Sequence, residues 1–148
     1  MLRFIIGSLF SLGAFCLAFY MEGGNLLSFL LPSPLLIVLG VPLFAILAVW
    51  SPRELGGAWK SAFKNGLSET EGKDASSLWD FYEKAFYAAG IVGTLAGFIE
   101  IFRSALSEGG RTVVFSLALI SLAEGILLGL VARILKARVE KNARAPRP

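Results

Sequence analysis

Ala89-Gly90-Ile91-Val92-Gly93-Thr94-Leu95-Ala96-Gly97 is the stretch on which the fold turns. It holds no charge, and Ala89, Gly93 and Gly97 recur every fourth residue. That spacing places all three on one face of a helix. Small side chains on one face of an apolar helix let a second helix approach closely. The stretch lies inside Ala85–Phe102, whose one charge is Glu100. Ser121, Gly125 and Gly129 repeat the spacing inside Val113–Leu135, which holds Glu124 and, near its end, Arg133. Gly90, Gly93, Gly97, Gly125 and Gly129 are therefore the expected helix-packing positions. A sharper reading is that the same helices line a narrow path through an oligomer. Gly90 to Gly93 is no phosphate-binding turn, because an apolar span surrounds it and no strand precedes it.

Two further segments are apolar. Leu2–Tyr20 carries only Arg3, and Pro34–Trp50 carries no charge. A spanning helix needs roughly 20 mostly apolar residues. The expectation is an all-α integral membrane protein, one membrane domain over residues 1–148. Its four transmembrane helices fall at 2–20, 34–50, 85–102 and 113–135. The composition agrees: 55% of the 148 residues are hydrophobic and 17% charged, with mean hydropathy +0.69. Disordered chains are poorer in apolar residues. Cys16 is alone, which excludes a disulfide scaffold, and there is no His. No zinc-type ligand set or nucleophile–base pair is visible, so neither an enzyme, a metal nor a cofactor is expected. The first segment admits a second reading as a signal peptide, since Arg3 precedes the apolar run. The run is long for one, and Cys16 reads as a small packing residue.

Charge sets the orientation. Ser51–Lys84 carries Arg53, Lys60, Lys64, Lys73 and Lys84. The tail carries Arg133, Lys136, Arg138, Lys141, Arg144 and Arg147. With Arg3, twelve of the fourteen basic residues fall on one side, which is expected to be cytoplasmic with both termini. A basic tail beside the membrane suits anionic lipid better than nucleic acid.

The connecting segments are short. Met21-Glu22-Gly23-Gly24-Asn25 reads as a tight turn, and Leu26–Leu31 as an apolar segment too short to span. The cytoplasmic hairpin 51–84 begins at Pro52, where Leu55, Trp59, Phe63 and Leu67 recur every fourth residue. This predicts a short amphipathic helix on the inner membrane surface, anchored by Trp59. Gly66–Ser77 reads as a loop, and Ser77-Leu78-Trp79-Asp80 as a cap from which a helix enters the third span. Residues 136–148 form a basic tail.

Three residues are candidates for an ion pathway: Thr94, Ser121 and Glu124. An intramembrane carboxylate is costly unless paired, protonated or facing water. Glu124 admits two readings. One is a proton-accepting site; the other is a neutral carboxyl bonded to a neighbouring helix through Ser121 or Ser116. Mid-span Thr94 and mid-span Glu124 are expected at similar depth, where a hydroxyl and a carboxyl can meet. The other reading of Thr94 is a bond to its own helix carbonyl four residues back. Glu100 and Arg103 are expected to pair locally.

Several segments together resemble a known family. Met21-Glu22-Gly23-Gly24-Asn25-Leu26, Pro32 and Leu36-Ile37-Val38-Leu39-Gly40 resemble the first half of MotA, the flagellar stator subunit related to TolQ and ExbB. Trp50-Ser51-Pro52-Arg53-Glu54-Leu55 resembles its exit from the second span. Gly90-Ile91-Val92-Gly93-Thr94-Leu95-Ala96-Gly97-Phe98-Ile99 resembles its third span. Ala118-Leu119-Ile120 with Gly125-Ile126-Leu127-Leu128-Gly129 resembles its last. The resemblance implies a component of a bacterial inner-membrane proton channel. It implies a homo-oligomer, a pentamer, around single-span partners of the MotB, ExbD or TolR type. Ion flow drives the partner, which supplies a membrane Asp, and Thr94 matches a threonine used in the pore. The chain departs from the pattern at Leu122, where a hydroxyl is expected, and at Tyr87 and near Val131, where prolines are. The large cytoplasmic domain that engages a rotor has no counterpart in Ser51–Lys84. A non-conducting structural or accessory protein of the same fold is the alternative; a small pore-former such as a holin lacks the ordered segments.

Overall fold

The structure, a computed structural model, describes residues 2–21, 25–64, 67–103 and 108–144. Every element among them is helical. The chain divides into two units, Met1–Leu31 and Pro32–Pro148. In the first, α1 runs over Leu2–Met21. Asn25 then caps a 3-10 turn at Leu26–Leu30, its side chain accepting from the Leu27 N–H at 3.0 Å. Most of the expected turn at 21–25 falls outside the described residues.

The second unit begins with α2, Pro32–Val49. Pro32 and Pro34 occupy its first turn, where a missing N–H costs nothing. Pro42 is different, because it lies inside the helix. It has no N–H for the Val38 carbonyl four residues back, and its ring crowds that carbonyl. The chain accommodates it with a π segment at Leu36–Gly40, just before the proline. Pro34, Val38, Pro42 and Ile46, four apart, form the buried stripe.

Ser51 opens α3, Pro52–Phe63. The Ser51 N–H donates to Glu54 Oε2 at 2.6 Å, and the Glu54 N–H donates to Ser51 Oγ at 3.4 Å. This reciprocal cap holds Glu54 below the usual carboxylate range, chiefly through the Ser51 N–H. The expected short amphipathic helix is present, and its other side packs on the rest of the unit. Ala58 and Ala62 are the buried side, because only small residues allow close approach. Trp59 packs on Trp79 with ring centroids 5.0 Å apart. Asn142 Nδ2 donates to the Lys64 carbonyl at 3.0 Å, and Arg138 stands 5.2 Å over the Phe63 ring. So α3 packs lengthwise against the two long helices, and its aromatic stripe is left at the rim.

Those two helices are α4, Glu69–Arg103, and α5, Glu108–Arg144. With 35 and 37 residues they are about 52 and 55 Å long, well beyond a ~30 Å hydrocarbon core. The expected loop to Ser77 is corrected here. Helix α4 starts eight residues before its expected N-cap, and Ser77–Asp80 lies within it. Ser68 makes the real cap: its N–H donates to Glu71 Oε2 at 3.0 Å and its Oγ accepts from the Glu71 N–H at 3.2 Å. Helix α5 likewise runs through the expected basic tail as far as Arg144; residues 145–148 lie outside the described residues.

The pair keeps one register along its length. A Cβ added at Gly97 would sit 2.6 Å from Ala118 Cβ, and at Gly93 2.9 Å from Ser121 Cβ. At Gly90 it would meet Gly125 Cα at 3.1 Å, and at Gly72 Ala143 Cβ at 2.5 Å. One added at Gly129 would strike the Tyr87 ring. The facing positions step by three and four, as in left-handed antiparallel helix pairs. Large apolar side chains point the other way: Ile91, Val92, Leu95, Ile99, Leu119, Ile126 and Val131 are all exposed. Small residues inside and large ones outside reverse the order of a water-soluble core and fit a lipid surround. Pro32–Val49, Glu69–Arg103 and Glu108–Arg144 are each long and apolar enough to cross a membrane, which marks a multi-pass membrane protein.

Candidate functional site

The three pathway candidates sit within two turns of one another on the glycine seam, yet their polar groups do not meet. Thr94 is buried, and its Oγ1 lies 2.8 Å from the Gly90 carbonyl and 3.0 Å from the Ala118 carbonyl. One hydroxyl proton thus serves its own helix and its neighbour. Ser121 Oγ donates to the Leu117 carbonyl at 3.1 Å. Ser116 Oγ donates to the Thr112 carbonyl at 2.9 Å. Glu124 is only 5% exposed, and neither carboxyl oxygen has a hydrogen-bond partner. The expected pairing of Glu124 with Thr94, Ser121 or Ser116 is therefore not found. The register explains it. Thr94 lies level with Ala118 and Ser121, and Glu124 lies a turn further along, beside Gly90.

The two residues also occupy opposite flanks of the seam. A Cβ at Gly93 would meet Ile37 Cγ2 at 3.4 Å as well as Ser121, so α2 covers the flank to which Gly93 turns. Thr94 is 100° further round and turns to the other flank. That flank carries exposed Ile91, Leu95, Leu119 and Ile126. Glu124 lies on the α2 side. Asn142, eighteen residues on, is five full turns away and shares its azimuth; Asn142 bonds the end of α3, which continues the path of α2.

Below Glu124 the pair changes character. Trp50 packs on Phe81 at 5.0 Å, Trp79 on Tyr82 at 5.7 Å, and Tyr82 stacks on Phe86 at 5.5 Å. With Trp59 on Trp79, all three tryptophans gather in one band, where aromatic side chains mark a membrane–water boundary. A polar ladder begins within the band and runs on past it. Arg133 pairs with Glu83 at 3.6 Å, Lys136 Nζ donates to Asp80 at 2.5 Å, and Ser76 donates to Glu140 at 2.9 Å. Lys84 also donates to Asp80, at 2.6 Å. Hydrogen bonds from Lys136 and Lys84 hold the Asp80 carboxyl down at about 2. This ladder escaped the sequence reading, although Ser68-x-x-Glu71 announces the helix that carries it. At the opposite end, Glu100 and Arg103 pair at 3.6 Å.

Among the described residues, no three His, Cys, Asp or Glu side chains gather as a metal site. Compared with known family models, curated proteins and solved structures, the chain matches none.

Proposed function

We propose that this chain is a subunit of an ion-conducting complex in a bacterial inner membrane, in which ion flow, taken to be of protons, drives a single-span partner. On this reading α1 is a fourth span, and both termini, α3 and the polar ladder are cytoplasmic, following the basic residues. Arg53, Lys60, Lys84 and Arg133 then meet anionic headgroups near the aromatic band.

The observation that carries the reading is Glu124. A fully enclosed carboxyl without a partner, in the apolar half of a helix pair, is expensive to keep and is found where protons or ions are handled. The resemblance to MotA, TolQ and ExbB supplies the rest: a homo-oligomer, a pentamer by analogy, around partner helices carrying a membrane Asp. Such a helix would dock on the flank that carries exposed Ile91, Leu95, Leu119 and Ile126. One observation favours the second reading, a non-conducting structural subunit: the Thr94 and Ser121 hydroxyls are both satisfied by backbone carbonyls of the same chain.

Co-expression with a single-span protein encoded by a neighbouring reading frame, followed by native mass spectrometry, tests the assembly. The proposal expects a ring of copies of this chain holding a substoichiometric partner. A stable oligomer that never retains a partner counts for the structural reading.

A further inference from the structure

Glu124 and the π segment of α2 share one level of the molecule, and each lacks what the other offers. Ile37 lies against Gly93 and Ser121. From there α2 descends toward Trp50, which rests on Phe81, so its next turn, Val38–Val41, passes the α5 turn that holds Glu124. The segment Leu36–Gly40 packs on both α4 and α5.

No N–H or O–H donor reaches either Glu124 oxygen. An anion so placed is strongly disfavoured, whereas the acid form brings its own donor and needs only an acceptor. The surrounding elements offer no charged partner. Helix α2 has none, and α4 has no charged residue between Lys84 and Glu100. Tyr87, the one titratable group in that stretch, packs on Gly129 across the seam. On α5 the nearest charged residues are Arg111 and Arg133, each more than two turns away. The charges of α3 begin at Arg53, beyond the aromatic band. A backbone acceptor is offered by the Val38 carbonyl on the buried stripe of α2. In the π segment the helical ladder is shifted, and Pro42 has no N–H to give Val38.

We infer that the Glu124 acid donates its proton in a hydrogen bond to a backbone carbonyl of the Leu36–Gly40 segment, pinning α2 to the α4–α5 pair, and that loss of this proton to water releases α2. The bond that breaks is the carboxyl O–H. What remains is a carboxylate facing carbonyl oxygens, two acceptors that repel. The contact makes the second span a proton-dependent element of the fold, whether or not the assembly conducts.

The test uses the full chain in lipid nanodiscs, with Cys16→Ser and spin labels at Leu47→Cys and Val131→Cys, both exposed positions. Pulsed electron resonance measures the α2–α5 distance from acid to alkaline pH, while infrared spectroscopy follows the protonated-carboxyl band. The inference expects a single short distance with the band present at acid pH. At alkaline pH the distance is longer and broader, and the band is gone. Glu124→Gln, which still donates, stays short at every pH; Glu124→Leu loses the pH response and lacks the band. A wild-type distance that ignores pH while the band disappears overturns the inference. So does a Glu124→Leu chain that keeps the wild-type pH response.

Discussion

The same two helices are joined in two unlike ways along their length. From Ala89 to Gly97 on α4, the joint with α5 is a close approach of small residues, with glycine facing glycine, serine or alanine. From Gly72 to Glu83 it is side chain to side chain, through Ser76–Glu140, Asp80–Lys136 and Glu83–Arg133. The difference follows the solvent. In lipid there is no hydrophobic drive to pair helices, so close van der Waals contact between small residues must do it. In water, apolar burial beneath α3 does most of the work, and exposed ion pairs add little beyond setting register. The two regimes meet within the aromatic band at Trp79–Phe86.

Substitutions break the comparison at different places. The largest effect is expected at Gly125, where an added Cβ would sit 2.7 Å from Gly90 Cα and 2.7 Å from the Phe86 carbonyl. Both obstacles are backbone, which cannot turn aside. Gly125→Leu should cost about 3 kcal/mol or more and appear as aggregation or a lost melting transition in detergent. A smaller effect is expected at Asp80. Asp80→Asn should cost about 1 kcal/mol once solvent screening is allowed for. Its pH dependence has a definite sign. The paired form is the carboxylate, so folding lowers its pKa to about 2 from an ordinary value of about 3.9. The contribution is complete above about pH 4 and fades as pH falls toward 2. The difference in melting temperature between wild type and Asp80→Asn should therefore shrink between pH 5 and pH 2.5. The smallest effect is expected at Lys73, whose pair with Glu69 at 2.7 Å is exposed on both sides. Lys73→Ala should leave thermal unfolding unchanged within error.

The seam was legible in the sequence because three- and four-residue spacing of small residues is a property of one helix, and Gly90, Gly93, Gly97, Gly125 and Gly129 carry it directly. The polar half was harder to read. Gly72 among charged neighbours suggests a loop, yet it sits in a helix, and it is glycine because Ala143 of the other helix leaves no room for a side chain. That reason belongs to tertiary packing. The orientation of α3 was hidden for a similar reason. Its aromatic stripe stands out in sequence, but Ala58 and Ala62 decide which side can approach. Glu124 stands out in the sequence by its place in the middle of an apolar span. Its flank does not, since that depends on where a third helix, α2, crosses the pair.

Those flanks carry the central proposal, that a helix pair with an enclosed carboxyl on one side and a buried threonine on the other couples ions to a partner. Proton uptake by vesicles containing the chain with the proposed single-span partner tests it most directly, under an imposed membrane potential. The account predicts uptake in the wild type, at least tenfold less in Glu124→Leu and in Thr94→Val, and recovery in Thr94→Ser. Vesicles that hold the intact complex yet take up no protons above the lipid background, or variants that conduct as the wild type does, would contradict it.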